Sequence, residues 1–278
     1  MDRPPSPIFA RNLRVLVEYD GSDFVGWQAQ DNGPSVQVAC EQALTQLTQV
    51  KPTVRVAGRT DAGVHAVAQV FNFRSDTKLS TKRLTSGLNA LLPKSISVHT
   101  VEDVPQEFDS KRDSLWKRYC YSIYQAPQPA AHLHRRAWHL ISPLDVSAIR
   151  AAADLLTGAL DFESFRAAGC QAKHANREMF DITIERQPRP PAGELLTITY
   201  RADAFCRHMC RILTGTLVEV GRGERTPASM SEVLSARSRF AAGVTAPPYG
   251  LCLLEVRYPK TTLANQPCVE GVKNSREA

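Results

Sequence analysis

A chain of 278 residues, 43% hydrophobic and 22% charged, has the make-up of one large or two ordinary globular domains, which excludes a disordered chain, a collagen and a coiled coil. No stretch nears the roughly 18 apolar residues of a membrane span, and Asp2, Arg3, Arg11 and Arg14 interrupt the N-terminus, so neither a membrane segment nor a secretory leader is expected. Lys+Arg 34 against Asp+Glu 28 gives +6, a mild excess that suits a polyanionic partner and a plain basic enzyme equally.

Residues 1–11 read as a loose arm. From Leu13 to Tyr19 the chain alternates, with Leu13, Val15, Val17 and Tyr19 on one side and Arg14, Leu16 and Glu18 on the other, which predicts a strand. Asp20-Gly21 is a turn signal, and Ser35 can cap a helix whose Val36, Ala39, Cys40, Ala43, Leu44 and Leu47 follow the 3.6 period. Strands are predicted at Thr53–Ala57 and Val67–Phe73. A helix from Thr81 carries Leu84, Leu88 and Leu91 and stops before Pro93. Ile96–Val101 and Trp116–Tyr124 read as strands, and Gln125–Pro129 as a linker. In the second half, Val146, Ile149, Ala152, Ala153 and Leu156 define a helix ending at Gly158. Phe180–Arg186 and Leu195–Arg201 read as a hairpin. Met209, Leu213, Thr216, Leu217 and Val220 form a helix, another follows Pro227, and Leu251–Tyr258 closes the fold as a strand. Beyond Pro259 the chain is polar and patternless and reads as a tail. Interleaved strands and helices in both halves predict an α+β or mixed-sheet enzyme.

The cysteines at 40, 120, 170, 206, 210, 252 and 268 form no Cys-x-x-Cys, which points to free thiols in a reducing compartment. Cys206 and Cys210 are placed on one helix face with His208 pointing elsewhere, and core packing is favoured over a metal.

Five segments concentrate chemistry. Ala57 to Ala66 packs two glycines, Arg59, Asp61 and His65 between two predicted strands. Taken alone, Asp61 caps its own turn, Arg59 is a surface cation and His65 an ordinary histidine. Leu115 to Tyr124 places Lys117, Tyr119 and Tyr121 on one strand face, a cation beside aromatics that suits nucleic acid or, alone, an ordinary amphipathic strand. Just upstream lie Lys111 and Arg112. Ala204 to Arg211 sets Arg207 and Arg211 on one face at a helix start, either an anion site or a solvated basic face. Tyr19 to Gln30 reads as a turn followed by a polar aromatic loop. Asp161 to Lys173 reads as a long loop with aromatics and cations.

In this order the segments resemble the tRNA pseudouridine synthase A family. The matching runs are Tyr-Asp-Gly with Gly-Trp-Gln-x-Gln at 19–30, Ala-Gly-Arg-Thr-Asp-Ala-Gly-Val-His at 57–65 and Arg-Tyr-x-Tyr at 118–121. Asp-Phe-x-Ser-Phe-Arg at 161–166, Ala-Phe-x-x-His-Met-x-Arg at 204–211 and Gly250-Leu251 complete the set, which spans residues 12–258. The resemblance implies an α+β fold with a mixed, largely antiparallel sheet flanked by helices and two similar halves around a central cleft. It divides the chain into 12–125, 126–258 and a tail, 259–278. It implies isomerisation of uridine to pseudouridine at positions 38, 39 and 40 of the tRNA anticodon stem-loop, in the cytoplasm, by a homodimer without cofactor or metal.

By the same resemblance Asp61 is the catalytic aspartate and nucleophile. Tyr119 lies against the uracil and helps proton transfer, although a phenol with a pKa near 10 is an awkward base at neutral pH. Arg59 braces the space left by a flipped base, and Arg211 pairs with the aspartate. Lys111, Arg112 and Lys173 match stretches that touch tRNA. Arg207 stands where some relatives carry a histidine, and Gln125-Ala126-Pro127 lacks a cation that some carry. Three alternatives stay open at this stage: a related enzyme acting on other tRNA uridines, a tRNA-binding module without catalysis, and a nucleoside glycosidase. The last would be expected to use two carboxylates rather than one.

Overall fold

The computed structural model describes residues 9–191 and 193–259. The predicted tail and most of the N-terminal arm lie outside the described residues. In chain order the described elements are β1 (Arg11–Tyr19), α1 (Val36–Thr48), β2 (Arg55–Val56), β3 (His65–Ser75), α2 (Thr81–Leu91), β4 (Ile96–Val104) and β5 (Trp116–Gln125). There follow β6 (Trp138–Leu140), α3 (Val146–Asp154), β7 (Gly158–Asp161), β8 (Asn176–Arg189), β9 (Gly193–Ala202), α4 (Met209–Gly221), α5 (Ser229–Ala236) and β10 (Leu251–Arg257).

All ten strands join one sheet in the order β4-β1-β3-β10-β5-β9-β8-β7, with β2 on β3 and β6 on β5. The β10–β3 and β5–β6 pairs are parallel and the other pairs antiparallel, so the fold is α+β with a mixed, mostly antiparallel sheet. The last strand thus enters the middle of the sheet, between two strands from the first half of the chain. Helix α2 packs on β4, α3 on β8 and α4 on β5. The alternation in β1 drives Leu13, Val15 and Val17 fully into the core, alongside Phe71 and Phe73 of β3.

The helix ends follow the side chains that cap them. Ser35 Oγ accepts the Val38 N–H at 3.3 Å and Ser80 Oγ that of Arg83 at 3.3 Å. Leu84 and Leu88 are buried as expected, but Leu91 is exposed. The chain leaves the helix at Leu92, whose extended backbone turns Leu92 inward in its place.

The expected strand at 53–57 shrinks to two residues. After Val56 pairs with Phe71, the last backbone hydrogen bond to β3 runs from the Ala57 N–H to Val70 before the chain swings away. Strands β6 and β7 have no counterpart among the predicted elements. Each is three or four residues long and exists through pairing with a longer neighbour rather than through its own periodicity. Residues 125 and 126, read as linker, are buried.

The face of β1 that carries Arg14 is covered too. Asn12 and Asn72 hydrogen-bond to each other at 3.0 Å and to the Phe108 carbonyl, while Arg14 pairs with Glu102 and lies 5.9 Å from the Tyr258 ring.

Leu253 of β10 is fully buried between β3 and β5. Leu253→Ala is expected to lower unfolding free energy by roughly 2–5 kcal/mol, the range for truncating a buried leucine, as read from urea midpoints at constant slope.

Candidate active site

Residues 57–64 leave β2 and return at β3 as a loop held by the backbone of another. The Trp27 N–H donates to the Thr60 carbonyl (3.1 Å) and the Gly63 N–H to that of Phe24 (3.3 Å), and Gly26 bridges Asp61. The 19–30 segment, which alone reads only as a turn and a loop, is therefore the brace of the Asp61 loop. Two glycines make the approach possible. A Cβ on Gly21 would sit 2.0 Å from the Val64 carbonyl oxygen, and one on Gly26 would sit 2.6 Å from that of Thr60, at a φ of +109°. The buried Tyr19 hydroxyl shares a hydrogen bond with Thr60 Oγ1 at 2.8 Å, and Gln69 Nε2 holds the Gly58 carbonyl at 2.8 Å.

This brace leaves the Asp61 carboxylate partly exposed and turned toward Arg211 instead of capping its own turn. Its Oδ2 accepts from Arg211 Nη1 at 3.1 Å, across 150 residues of sequence. Arg211 is fixed in turn. Its Nε donates to the Ala246 carbonyl (2.8 Å), and its own carbonyl accepts the Ala246 N–H (3.0 Å).

Arg207 and Arg211 do not share a helix face as the spacing predicts. Helix α4 starts at Met209, and His208 before it takes the left-handed conformation, at φ +61°. That turn has a consequence sequence reasoning missed: it brings His208 Nε2 to 3.6 Å from Asp61 Oδ2. Burial lowers the His208 pKa below its usual value. Asp61 opposes this, and Arg211 and Arg207 add to it. A neutral imidazole therefore faces the carboxylate beside the guanidinium. The His-Met-x-Arg run was the available signal, but nothing in the sequence marks the left-handed turn. Cys206, outside the helix, and Cys210, within it, are both buried.

Tyr119 projects from β5 beside the loop and is 7% exposed. Its ring meets Phe205 edge-on, with centroids 5.1 Å apart. Burial pushes its pKa well above 10, and the charge of Asp61 pushes the same way. Lys117, on the same strand face, is buried rather than presented to solvent as a surface cation. Its Nζ donates to Ser114 Oγ at 2.7 Å, and burial lowers its pKa to about 8. A Cβ on Gly58 would lie 3.3 Å from Lys117 Cε and 3.8 Å from Tyr119 Oη, so the bare glycine keeps open the space between loop and strand. Arg118, on the opposite face, pairs with Glu255 at 2.6 Å.

Arg59 is exposed and donates to Gln171 Oε1 at 2.7 Å, linking the aspartate loop to the 161–173 loop of the other half. Lys173 is exposed two residues further along that loop. Lys111 and Arg112 lie together on a turn around Asp109, at a distance in sequence from both loops. Arg112 is already occupied, by Asp113 at 2.8 Å and the Glu107 carbonyl. Asp61 thus meets Arg211 and His208 directly and Tyr119 lies beside the same loop across Gly58, while Arg59 leaves that loop toward Gln171. No group of three or more potential metal ligands occurs among the described residues.

His65 ends the loop as a knot. Its Nδ1 accepts from the Gly21 N–H (3.1 Å) and Arg136 (3.0 Å), and its Nε2 donates toward the carbonyls of Arg135 (2.9 Å) and Tyr249 (3.1 Å). Asp20 Oδ1 also lies 3.1 Å from Nδ1 and, like the two carbonyls, favours the charged ring, but the opposing effects outweigh them. Burial, then the Arg136 guanidinium, hold its pKa below the usual histidine value.

The family model described as tRNA pseudouridine synthase matches residues 15–111 and 152–259. A tRNA pseudouridine synthase A of Myxococcus xanthus is 44% identical over 246 residues, covering 88% of this chain and 91% of that protein. Proteins of the same name from Syntrophotalea carbinolica and Geobacter sulfurreducens are 41% and 39% identical, covering 93% and 89% of this chain and 99% and 100% of their own lengths. No helix among the described residues is long and apolar enough to cross a membrane.

The His65 arrangement sets a sign for pH dependence. Below a pH of about 6.5 the unfolded histidine takes up a proton that the folded one refuses, so this contribution to stability is present above that pH and lost as pH falls. Urea unfolding between about pH 7 and 5 is expected to show a shallower loss of stability for His65→Gln than for the wild type. The slope left in the variant includes His208, whose shift has the same sign.

Proposed function

The chain belongs to the tRNA pseudouridine synthase A family and is an isomerase of tRNA uridine; we propose that it acts at positions 38, 39 and 40 of the anticodon stem-loop, flipping the base out of the stem and using Asp61 as nucleophile. The observation that carries this reading is the Asp61 carboxylate, held on a braced loop at the cleft with Arg211 at 3.1 Å. The reaction has to break the N1–C1′ bond, turn the uracil and join C5 to C1′. One carboxylate can do this by attack on the sugar or by assisting loss of a C2′ proton. Arg211 aims that carboxylate, and the neutral His208 ring limits how it can turn.

Tyr119 is read as the wall against which the uracil stacks. With its pKa raised by burial it keeps its proton at neutral pH, so it can take the C5 proton only while passing on its own. A base inside a stem must leave the stack to reach Asp61. Arg59, exposed at the cleft rim, is placed to fill the vacated space. Its bond to Gln171 then exchanges for RNA. The same reading divides the chain at 125/126, with the aspartate loop and tyrosine strand in the first half and the 161–173 loop and arginine helix in the second. It includes a second copy of the chain, one tRNA spanning both subunits, and a cytoplasmic location.

An unmodified tRNA transcript with uridines at 38–40, incubated with enzyme and mapped by chemical adduct and primer stops, tests the assignment. Stops at 38–40 are expected for the wild type and none for Asp61→Asn, which still binds tRNA. Stops elsewhere would assign other uridines, and free uracil would indicate a glycosidase. Arg211→Gln is expected to lower kcat by roughly 100-fold with little change in tRNA affinity, the scale for losing one oriented charged donor at a reacting centre.

Salt dependence separates the outlying cations. Lys111→Ala and Lys173→Ala are each expected to reduce the slope of log affinity against log salt by about 1. Arg112→Ala is expected to reduce it less, because Arg112 is already paired with Asp113.

A further inference from the structure

Cys170 and Cys206 play no part in the reaction just described, yet both border its site. Cys170 immediately precedes Gln171, the partner of Arg59. Cys206 lies two residues before His208, which faces Asp61. The two segments are clamped together: Cys170 Sγ accepts the Arg207 N–H at 3.4 Å, the Arg207 side chain donates to the Ala168 carbonyl at 3.1 Å, and the Ala167 N–H donates to the Arg207 carbonyl at 3.1 Å. Cys206 directly precedes Arg207, so the N–H that Cys170 Sγ accepts belongs to the residue bonded to the second cysteine. Cys170 is partly exposed and Cys206 is buried behind it.

The two thiols differ in character. Burial alone would raise the Cys170 pKa. The N–H groups of Arg207 and Ala172 and the Arg166 guanidinium outweigh it and draw the pKa below the usual value. Burial pushes Cys206 up to about 11. Cys40, Cys120, Cys210 and Cys252 are all raised by burial. An accessible thiol with thiolate character beside a second thiol is the arrangement that oxidation selects.

We propose that Cys170 and Cys206 form a peroxide-sensitive pair that closes as a disulfide and reversibly switches off tRNA turnover. The Cys170 thiolate attacks one oxygen of a hydroperoxide. The S–O bond forms as the O–O bond breaks, and the departing oxygen leaves as an alcohol or water after taking a proton. Cys206 sulfur then attacks the Cys170 sulfenic acid. The S–S bond forms, the S–O bond breaks, and the released hydroxide leaves as water with the Cys206 proton. Two thiols are oxidised and one peroxide is reduced, with two electrons exchanged. An S–S bond of about 2.05 Å is shorter than any contact between thiols, so closure draws the Gln171 loop and the start of α4 together. The Arg207 N–H···Sγ bond is then lost, and both Arg59 and His208 are displaced at the cleft.

The disulfide stands on the cysteines alone, and the loss of turnover rests on the proposed placement of Asp61 and Arg59. The full chain is treated with hydrogen peroxide, and thiols are blocked. Non-reducing peptide maps and turnover on tRNA are then read before and after dithiothreitol. We expect a Cys170–Cys206 peptide and a loss of at least about tenfold in turnover, within what a shift of about 1 Å can cost, with full return on reduction. Cys170→Ser is expected to keep its activity through peroxide. Cys206→Ser is expected to accumulate a Cys170 sulfenic acid, trapped by dimedone, without a bridge. Absence of the bridged peptide in wild type overturns the pair, whatever the status of the site. A bridge with undiminished turnover, or an equal loss in Cys170→Ser, overturns the switch.

Discussion

Asp61 meets Arg211 because β10 is inserted between β3 and β5. The segment leading into that strand holds three of the surrounding side chains. Ala246 clamps Arg211 through two hydrogen bonds, the Pro247 carbonyl accepts the Tyr121 hydroxyl at 2.7 Å, and the Tyr249 carbonyl accepts from His65. Magnitudes show which way the dependence runs. The ion pair, with side chains 26% and 12% exposed, gives back much of its attraction in desolvation, whereas a single buried leucine in β10 is worth several kcal/mol. The sheet holds the pair; the pair does not hold the sheet.

The same logic explains the polar groups packed around the aspartate loop. A loop carrying a reactive carboxylate cannot be secured by apolar packing at its tip without losing its opening to the cleft. It is secured from behind, by backbone hydrogen bonds to residues 24–27 and by the buried Tyr19–Thr60–Gln69 set. Buried groups of this kind stabilise only when all are satisfied, and here each finds a partner. His65 joins the loop to residues 21, 135 and 249 in one side chain, and its neutral form is part of the geometry.

Burial divides the ionisable groups of the cleft by role. Asp61, Arg211 and Arg59 keep contact with solvent. Tyr119 and Lys117 are withdrawn from water, which keeps the phenol protonated and makes the amine easier to discharge. A base stacked against Tyr119 would sit at the edge of the apolar interior with its sugar toward the carboxylate. Cys170 stands at the rim of the same cleft. Its thiol accepts the Arg207 N–H from the segment that also positions His208, which couples its oxidation state to the cleft geometry.

Much of this was legible in the chain itself. Local periodicity located β1, β3, β5, α1, α2, α3, α4 and the β8–β9 hairpin, because alternation and the 3.6 period record which side chains leave water. The run from Gly58 to His65, with four companion motifs, marked the family and its reaction. Four things were decided by tertiary structure. Strands β6 and β7 exist only through their partners, and β2 is cut short where the site loop departs. Leu91 gives its expected place in the core to Leu92, because the helix ends there. Lys117, which reads as a cation interleaved with aromatics, is buried, because the face it shares with Tyr119 turns inward beneath Gly58. His208 reaches Asp61 through a single left-handed residue before α4. Periodicity reports burial along one element; which elements become neighbours, and so which charges meet, is set by contacts between residues as far apart as 61 and 211.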